Sequence, residues 1–263
     1  MTHPDISLYK ELVDFCNSHQ DEIETKFKKE LSFNELNEMC YIEMFEKCRH
    51  IESPLPVKHF KDIIPGLTEA YKKNGSYFMT KRNEYIKGLD IQKGQWYEKA
   101  LQLFLGTKGI TVTKKGFPYP DFEISINDKV VGYYELKYIK SPFLTANSKI
   151  KNTFPYNSTR YDYEASLTLD TGDKLYKQRV KSEELIGCGY PVYYIWWYDC
   201  FHIKGLFAMH ATEVYEYYDM INGNVHERTE REGDLECHQE KGKIYPPLLE
   251  MITFNELINS FKQ

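Results

Sequence analysis

Gly116-Phe-Pro-Tyr-Pro-Asp-Phe-Glu-Ile-Ser-Ile-Asn-Asp-Lys-Val-Val-Gly-Tyr-Tyr-Glu-Leu-Lys-Tyr-Ile-Lys140 is the stretch on which the fold turns. Two short runs of β-branched and aromatic residues flank Asn127, Asp128 and Lys129, which form a turn signal. The stretch therefore reads as a β-hairpin with Asp121 at its start and Glu135-Leu136-Lys137 near its end. Register decides whether those residues meet. A three-residue loop pairs Ile126 with Val130 and sets Asp121 opposite Glu135. A two-residue turn pairs Asp121 with Tyr134 and moves the acid to the other face, because a slip of one residue flips every side chain. Asn127 and Asp128 tolerate positive φ better than most residues, and the expectation is the longer loop.

On that register one face carries Asp121, Glu123, Ser125, Tyr133, Glu135 and Lys137, and the other Phe122, Ile124, Ile126, Val130, Tyr134 and Leu136. The second set is a core face. The first gathers three carboxylates and a lysine on a half-apolar strand pair, which repulsion and desolvation make costly unless a cation or a substrate compensates. Carboxylate oxygens a few ångströms apart suit a hard divalent ion such as Mg²⁺.

Pro120-Asp121, thirteen intervening residues and then Glu135-Leu136-Lys137 resembles the PD-(D/E)XK nuclease signature, most familiar in type II restriction endonucleases. The context agrees: an amphipathic helix containing Glu98 precedes the hairpin, and a basic helix and an apolar strand follow it. The resemblance covers roughly residues 94 to 210. It implies that Asp121 and Glu135 hold Mg²⁺, for which Mn²⁺ can substitute, with the Leu136 carbonyl as a further ligand and Glu98 reaching the metal through water. It places Lys137 beside the attacking water. There the lysine either orients a metal-activated water and stabilises developing charge, or acts as base if its pKa falls far enough.

Length and composition set the outer bounds. At 263 residues the chain can bury a real core, as one large domain or two small ones. The formal charge of −5 gives no global argument for nucleic-acid binding and does not exclude it, since a DNA cleft needs only a local basic lining. The six cysteines, at 16, 40, 48, 188, 200 and 237, include no Cys-x-x-Cys pair, so neither a zinc ribbon nor a redox motif is signalled; free thiols in a reducing compartment are expected. The longest apolar run, Pro191 to Tyr198, is too short to span a bilayer, and a soluble cytoplasmic protein, of bacterial type, is the expectation.

Along the chain, residues 5 to 50 show helical spacing, as in Leu8, Leu12, Phe15 and Cys16. A further helix is predicted from Val57 to Lys73, with Pro65 in its middle or between two pieces, stopped by Asn74-Gly75. Residues 94 to 106 form a helix with Trp96 or Tyr97, Ala100, Leu101, Phe104 and Leu105 as its buried stripe and Gly106 as its C-cap. A strand over Gly109 to Lys115 leads into the hairpin. Residues 143 to 169 form a long loop leaving directly from the candidate site; Lys149, Lys151, Asn152, Asn157, Ser158 and Arg160 are its candidate contacts to phosphates and base edges. Thr171 or Asp173 caps a helix through Ile186, on which Lys174 and Gln178 are further candidate DNA contacts. Pro191 to Asp199 is a strand covered on both faces, so strand, helix, strand here reads as a parallel crossover. A strand over Phe201 to Met209, a helix over Thr212 to Met220, strands near 226 to 231 and 238 to 244, and a helix over Thr253 to Phe261 complete the chain.

The expected fold class is α/β of mixed α+β character: a restriction-endonuclease-like core with a central mixed β-sheet flanked by helices over 93–263, and an N-terminal helical region over 1–92. The function that the resemblance implies is a Mg²⁺-dependent, sequence-specific endodeoxyribonuclease of the restriction type, cutting double-stranded DNA as a homodimer, with no membrane involvement. The alternatives are a repair or structure-selective nuclease of the same fold, a DNA-binding module that does not cut, and an unrelated α/β protein in which the motif is accidental.

Overall fold

The structure is a computed structural model that describes residues 3–23, 27–81, 88–140, 157–163, 167–168, 173–220, 226–227 and 242–262. At its centre is a six-stranded sheet in the order β1 (Thr111–Lys114), β2 (Phe122–Ile126), β3 (Lys129–Ile139), β5 (Val192–Asp199), β6 (Lys204–His210), β9 (Ile252–Thr253). Only β3 and β5 run parallel among these neighbours. A parallel pair needs a crossover, and α8 (Asp173–Gly187) lies in the connection. The fold is thus mixed α/β with helices on both faces. Its order of helix, strand, hairpin, helix and strand over 89–199 is the one that the resemblance implies.

Each sheet face carries its own core. On one side α1 (Pro4–Ser18), α7 (Leu89–Thr107) and α10 (Phe254–Phe261) pack Leu12, Trp96, Leu101, Phe104 and Leu257 against Phe122, Tyr134, Leu136, Ile195 and Trp197. On the other, α3 (Glu35–Cys40), the π-helical turn Tyr41–Glu46 that continues it, α8 and α9 (Ala211–Met220) supply Cys40, Met44, Phe45, Leu175, Leu185 and Val214. These meet Tyr133, Tyr194, Trp196, Tyr198 and Phe207 from the strands. Alternate residues of β5 therefore enter opposite cores, as its near-continuous apolar sequence requires. The stripe predicted for α7 is buried throughout. The N-terminal helices enter both cores, and α7 runs across the boundary expected near residue 92.

The far end of β5 is held by a buried ion cluster. Asp199 accepts from Lys204 Nζ at 2.8 Å, from the Tyr97 hydroxyl at 2.8 Å and from Lys29.

Several local expectations are corrected. Pro65 does separate two helices, α5 (Val57–Ile63) and α6 (Leu67–Lys81). Asn74-Gly75 does not stop the second: the Asn74 side chain donates back to the Ala70 carbonyl at 2.8 Å and the helix continues. Gly106 lies inside α7, and the positive φ of 75° that follows the helix belongs to Gly109. Two short strands, β7 (His226–Glu227) and β8 (Gly242–Ile244), join β4 (Leu167–Thr168) in a separate small sheet, with β8 between the other two. Among the described residues, five cysteines are free thiols.

Candidate metal and catalytic site

The hairpin reaches the expected juxtaposition by another route. Its turn has two residues, not three: Ile126 pairs with Lys129, and Asn127 and Asp128 take φ of 49° and 60°, the positive pair that a tight hairpin turn demands. Alone, that turn would carry Asp121 to the wrong face. Ser125 pairs with Val130 but Ile124 pairs with Gly132, so β3 contains a bulge at Val131 that adds one residue and shifts the register back. From there Glu123 faces Tyr133 and Phe122 faces Tyr134. Gly132 also lets β5 approach closely. A Cβ at this position would lie 2.9 Å from the Pro191 carbonyl oxygen, which accepts from Tyr133 N–H.

Asp121 and Glu135 are consequently tied together through backbone amides, Glu135 to that of Asp121 itself and Asp121 to that of Leu136, the residue after Glu135. The Asp121 N–H donates to Glu135 Oε2 at 3.0 Å, and the Leu136 N–H donates to Asp121 Oδ2 at 3.3 Å. Lys137 Nζ donates to Glu135 Oε1 at 2.7 Å. Pro120 precedes this group, and the Lys115 N–H donates to the Asp121 carbonyl at 2.8 Å, which fixes the aspartate at the strand end.

The carboxylate-bearing face is not solvated, as a single core face would require; Tyr133, Tyr194 and Trp196 make it a second core. Glu135 is 8% exposed. Burial first, and then the neighbouring Glu135 charge, push the Asp121 carboxyl up to about 7, against the pull of Lys137. Two carboxylates beside one lysine, itself bonded to Glu135, are short of positive charge, and an oxygen-rich donor set short of positive charge fits a hard divalent cation.

Glu98, on α7, adds to the repulsion felt by Asp121, but its own carboxylate pairs with Lys114 Nζ at 2.5 Å. Among the described residues the one trio of His, Cys, Asp or Glu whose ligand atoms lie close enough to share an ion is His3, Asp5 and Glu46, remote in sequence from the hairpin. Glu123 is occupied by Lys115 at 3.1 Å and the Tyr133 hydroxyl at 3.0 Å. Leu136 offers its N–H to Asp121, and it lies in the part of β3 paired with Ile195 of β5.

Gln178 joins the site. With Pro120, Glu135, Ser182, Val192 and Tyr194 it lines a small pocket between α8 and the sheet. Ser182, Tyr194 and Tyr215 were not expected there. The Tyr194 and Tyr215 hydroxyls are 3.1 Å apart, and Ser182 is buried; no motif links these positions, which only the packing of α8 and α9 on β5 brings together. Arg160 is engaged elsewhere, with Glu250 at 3.2 Å and the Ile51 carbonyl at 2.9 Å, and Ser158 accepts from the Arg160 N–H. These two side chains hold the chain to itself. Asn157 is exposed. Lys149, Lys151 and Asn152 lie outside the described residues, as does the side chain of Lys174.

No family model and no curated protein matches the chain. Among solved structures it is similar to Hjc, a Holliday junction resolvase from the archaeal hyperthermophile Archaeoglobus fulgidus. The identity is 14% and the TM-score 0.35, over 64% of this chain and 96% of that one. A likeness on that scale leaves function to be argued from the site. No described helix is long and apolar enough to cross a membrane.

Proposed function

We propose that this protein is a divalent-metal-dependent endodeoxyribonuclease that hydrolyses phosphodiester bonds at Asp121, Glu135 and Lys137. The observation that carries the reading is the meeting of the two acids, the Glu135 carboxylate accepting from the Asp121 N–H and the Asp121 carboxylate from the Leu136 N–H, with Lys137 donating to Glu135. Bulge, prolines and strand order converge on this one arrangement.

Asp121 and Glu135 would hold the cation, Mg²⁺ or Mn²⁺, with Glu98 contributing from α7. When bound, such an ion acidifies water and neutralises charge developing on a phosphate. Lys137 is held as a donor by Glu135, so we assign it the orientation of the attacking water and the stabilisation of developing negative charge, in preference to the role of base. Gln178, which lines the same pocket as Glu135, would donate its amide to a phosphate oxygen. The buried walls around Glu135 lower the local dielectric, which strengthens each of these interactions.

A restriction-type enzyme reading a palindrome would act as a two-fold homodimer, since target symmetry mirrors protein symmetry. The second reading, cleavage of branched, nicked or mismatched DNA, uses the same site on a differently shaped substrate.

One experiment tests both. Purified protein is incubated with unmethylated plasmid, a four-way junction and nicked duplex, in Mg²⁺, Mn²⁺ and EDTA, beside Asp121→Ala and Lys137→Ala. Discrete plasmid fragments support the restriction reading, and cuts near the branch point the structure-selective one. Absence of cutting on every substrate, or cutting indifferent to both substitutions, overturns the assignment.

A further inference from the structure

Glu98 stands beside the site with its charge already taken, bonded at 2.5 Å to Lys114 Nζ at the end of β1. The strand registers show what surrounds that pair. Lys114 pairs with Phe122, and Phe122 with Tyr134, so the three form one row across β1, β2 and β3. Directly paired residues share a face, and this row faces α7. Phe122 stacks on Tyr134 at 4.9 Å, and Lys114 Nζ lies 5.8 Å from the Phe122 ring centroid. The row runs from an ammonium at one end to a phenol at the other, and its middle member follows Asp121 directly in the chain.

The phenol is the unexplained part. Tyr134 is 0% exposed and its hydroxyl has no hydrogen-bond partner among the described residues. Buried hydroxyls without partners are rare, and one beside a functional site calls for a state in which it is used. A phenol keeps its proton at neutral pH, so the group it offers is a donor.

We propose that Lys114 and Tyr134 are positioning residues for Glu98. Lys114 holds the glutamate aside in the metal-free protein. With a divalent cation held at Asp121 and Glu135, Glu98 would turn from Lys114 towards the site, and the Tyr134 hydroxyl would donate to its carboxylate, directly or through one water. Metal binding would then be coupled to release of Glu98 from the Lys114 ammonium. This rests on the reading of Asp121 and Glu135 as the cation site.

The test is Mn²⁺ binding without DNA, followed by the paramagnetic resonance signal of free Mn²⁺, with circular dichroism to confirm folding. Lys114→Gln removes the competitor and is expected to tighten Mn²⁺ binding about three- to fivefold, the affinity equivalent of one partly exposed charge pair. Tyr134→Phe keeps the ring and is expected to weaken binding by a similar factor. Both effects should fall below about twofold in a Glu98→Gln background, where the coupling has no carrier. Equal effects with and without Glu98 would reduce Lys114 to a distant charge and Tyr134 to packing, and so overturn the proposal. Mn²⁺ binding that ignores Asp121→Asn, or no binding at all, would instead overturn the site assignment, and this inference with it.

Discussion

Replacing Asp121 with Asn tests the electrostatics of the site without any substrate. The carboxyl moves from an ordinary 3.8 to about 7 in the folded chain, chiefly by burial and then by Glu135. A carboxyl raised on folding favours the folded state only while it stays protonated. Its contribution is therefore intact below the unfolded value and is lost as pH rises from about 4 through 7. With those two values, ionisation of Asp121 costs the folded protein roughly 2 kcal/mol at pH 5 and roughly 4 kcal/mol at pH 8. The metal-free protein should thus lose on the order of 2 kcal/mol between these pH values through this group. Asn keeps an acceptor for the Leu136 N–H and has no charge to desolvate. Urea unfolding in EDTA, at pH 5 and pH 8, should show the stability gap between Asp121→Asn and wild type widening by about 1–3 kcal/mol at the higher pH. Saturating Mg²⁺ should flatten the wild-type profile and leave the variant's unchanged. A gap that is the same at both pH values would refute the picture of two buried acids short of a cation.

Three further substitutions probe other steps. Lys137→Gln should lower cleavage by about 10²–10³-fold, the usual loss of an oriented donor to developing charge, while Mn²⁺ affinity falls little; steady-state cleavage beside metal titration separates the two. Gly132→Ala should destabilise the protein by about 1–3 kcal/mol, because the added Cβ meets the Pro191 carbonyl oxygen at 2.9 Å; an unchanged denaturation midpoint would mean that the strands part easily there. Burial holds the His202 imidazole neutral, down to about 3, so its contribution is present above the unfolded value of 6.5 and is lost as pH falls towards 3. His202→Gln should therefore make unfolding less sensitive to pH between 6.5 and 4, and an unaltered slope over that range would contradict this.

Much of the frame was legible because it depends on local periodicity. The stripe from Trp96 to Leu105 repeats at helical spacing and is buried as read. The unbroken apolar run of β5 implied cover on both faces, and its residues do alternate between two cores. What escaped depends on tertiary context. Strand β9 has two residues, too few for any pattern. Gly106 looked like a helix end because glycine often is one, but the chain found its left-handed turn three residues later, at Gly109. The cover over Glu135 comes from Tyr194 and Ser182, more than forty residues away in sequence, and no local rule connects them.

The hairpin shows the limit most sharply. Asn127-Asp128 announced a turn, and the demand that Asp121 meet Glu135 was right in its result and wrong in its means. Two conditions competed. Paired positive φ at Asn127 and Asp128 favours the tight turn, and burial of Phe122, Ile124 and Tyr134 in one core fixes the face of every later residue. A three-residue loop satisfies the second condition and abandons the first. The bulge at Val131 satisfies both, since it inserts the missing residue after the turn has closed. The sequence carries one trace of it, Gly132, at which the missing side chain lets the bulged strand lie against Pro191. Gly132 lets the bulged strand lie against Pro191, the bulge sets the register, and the register brings Asp121 to Glu135.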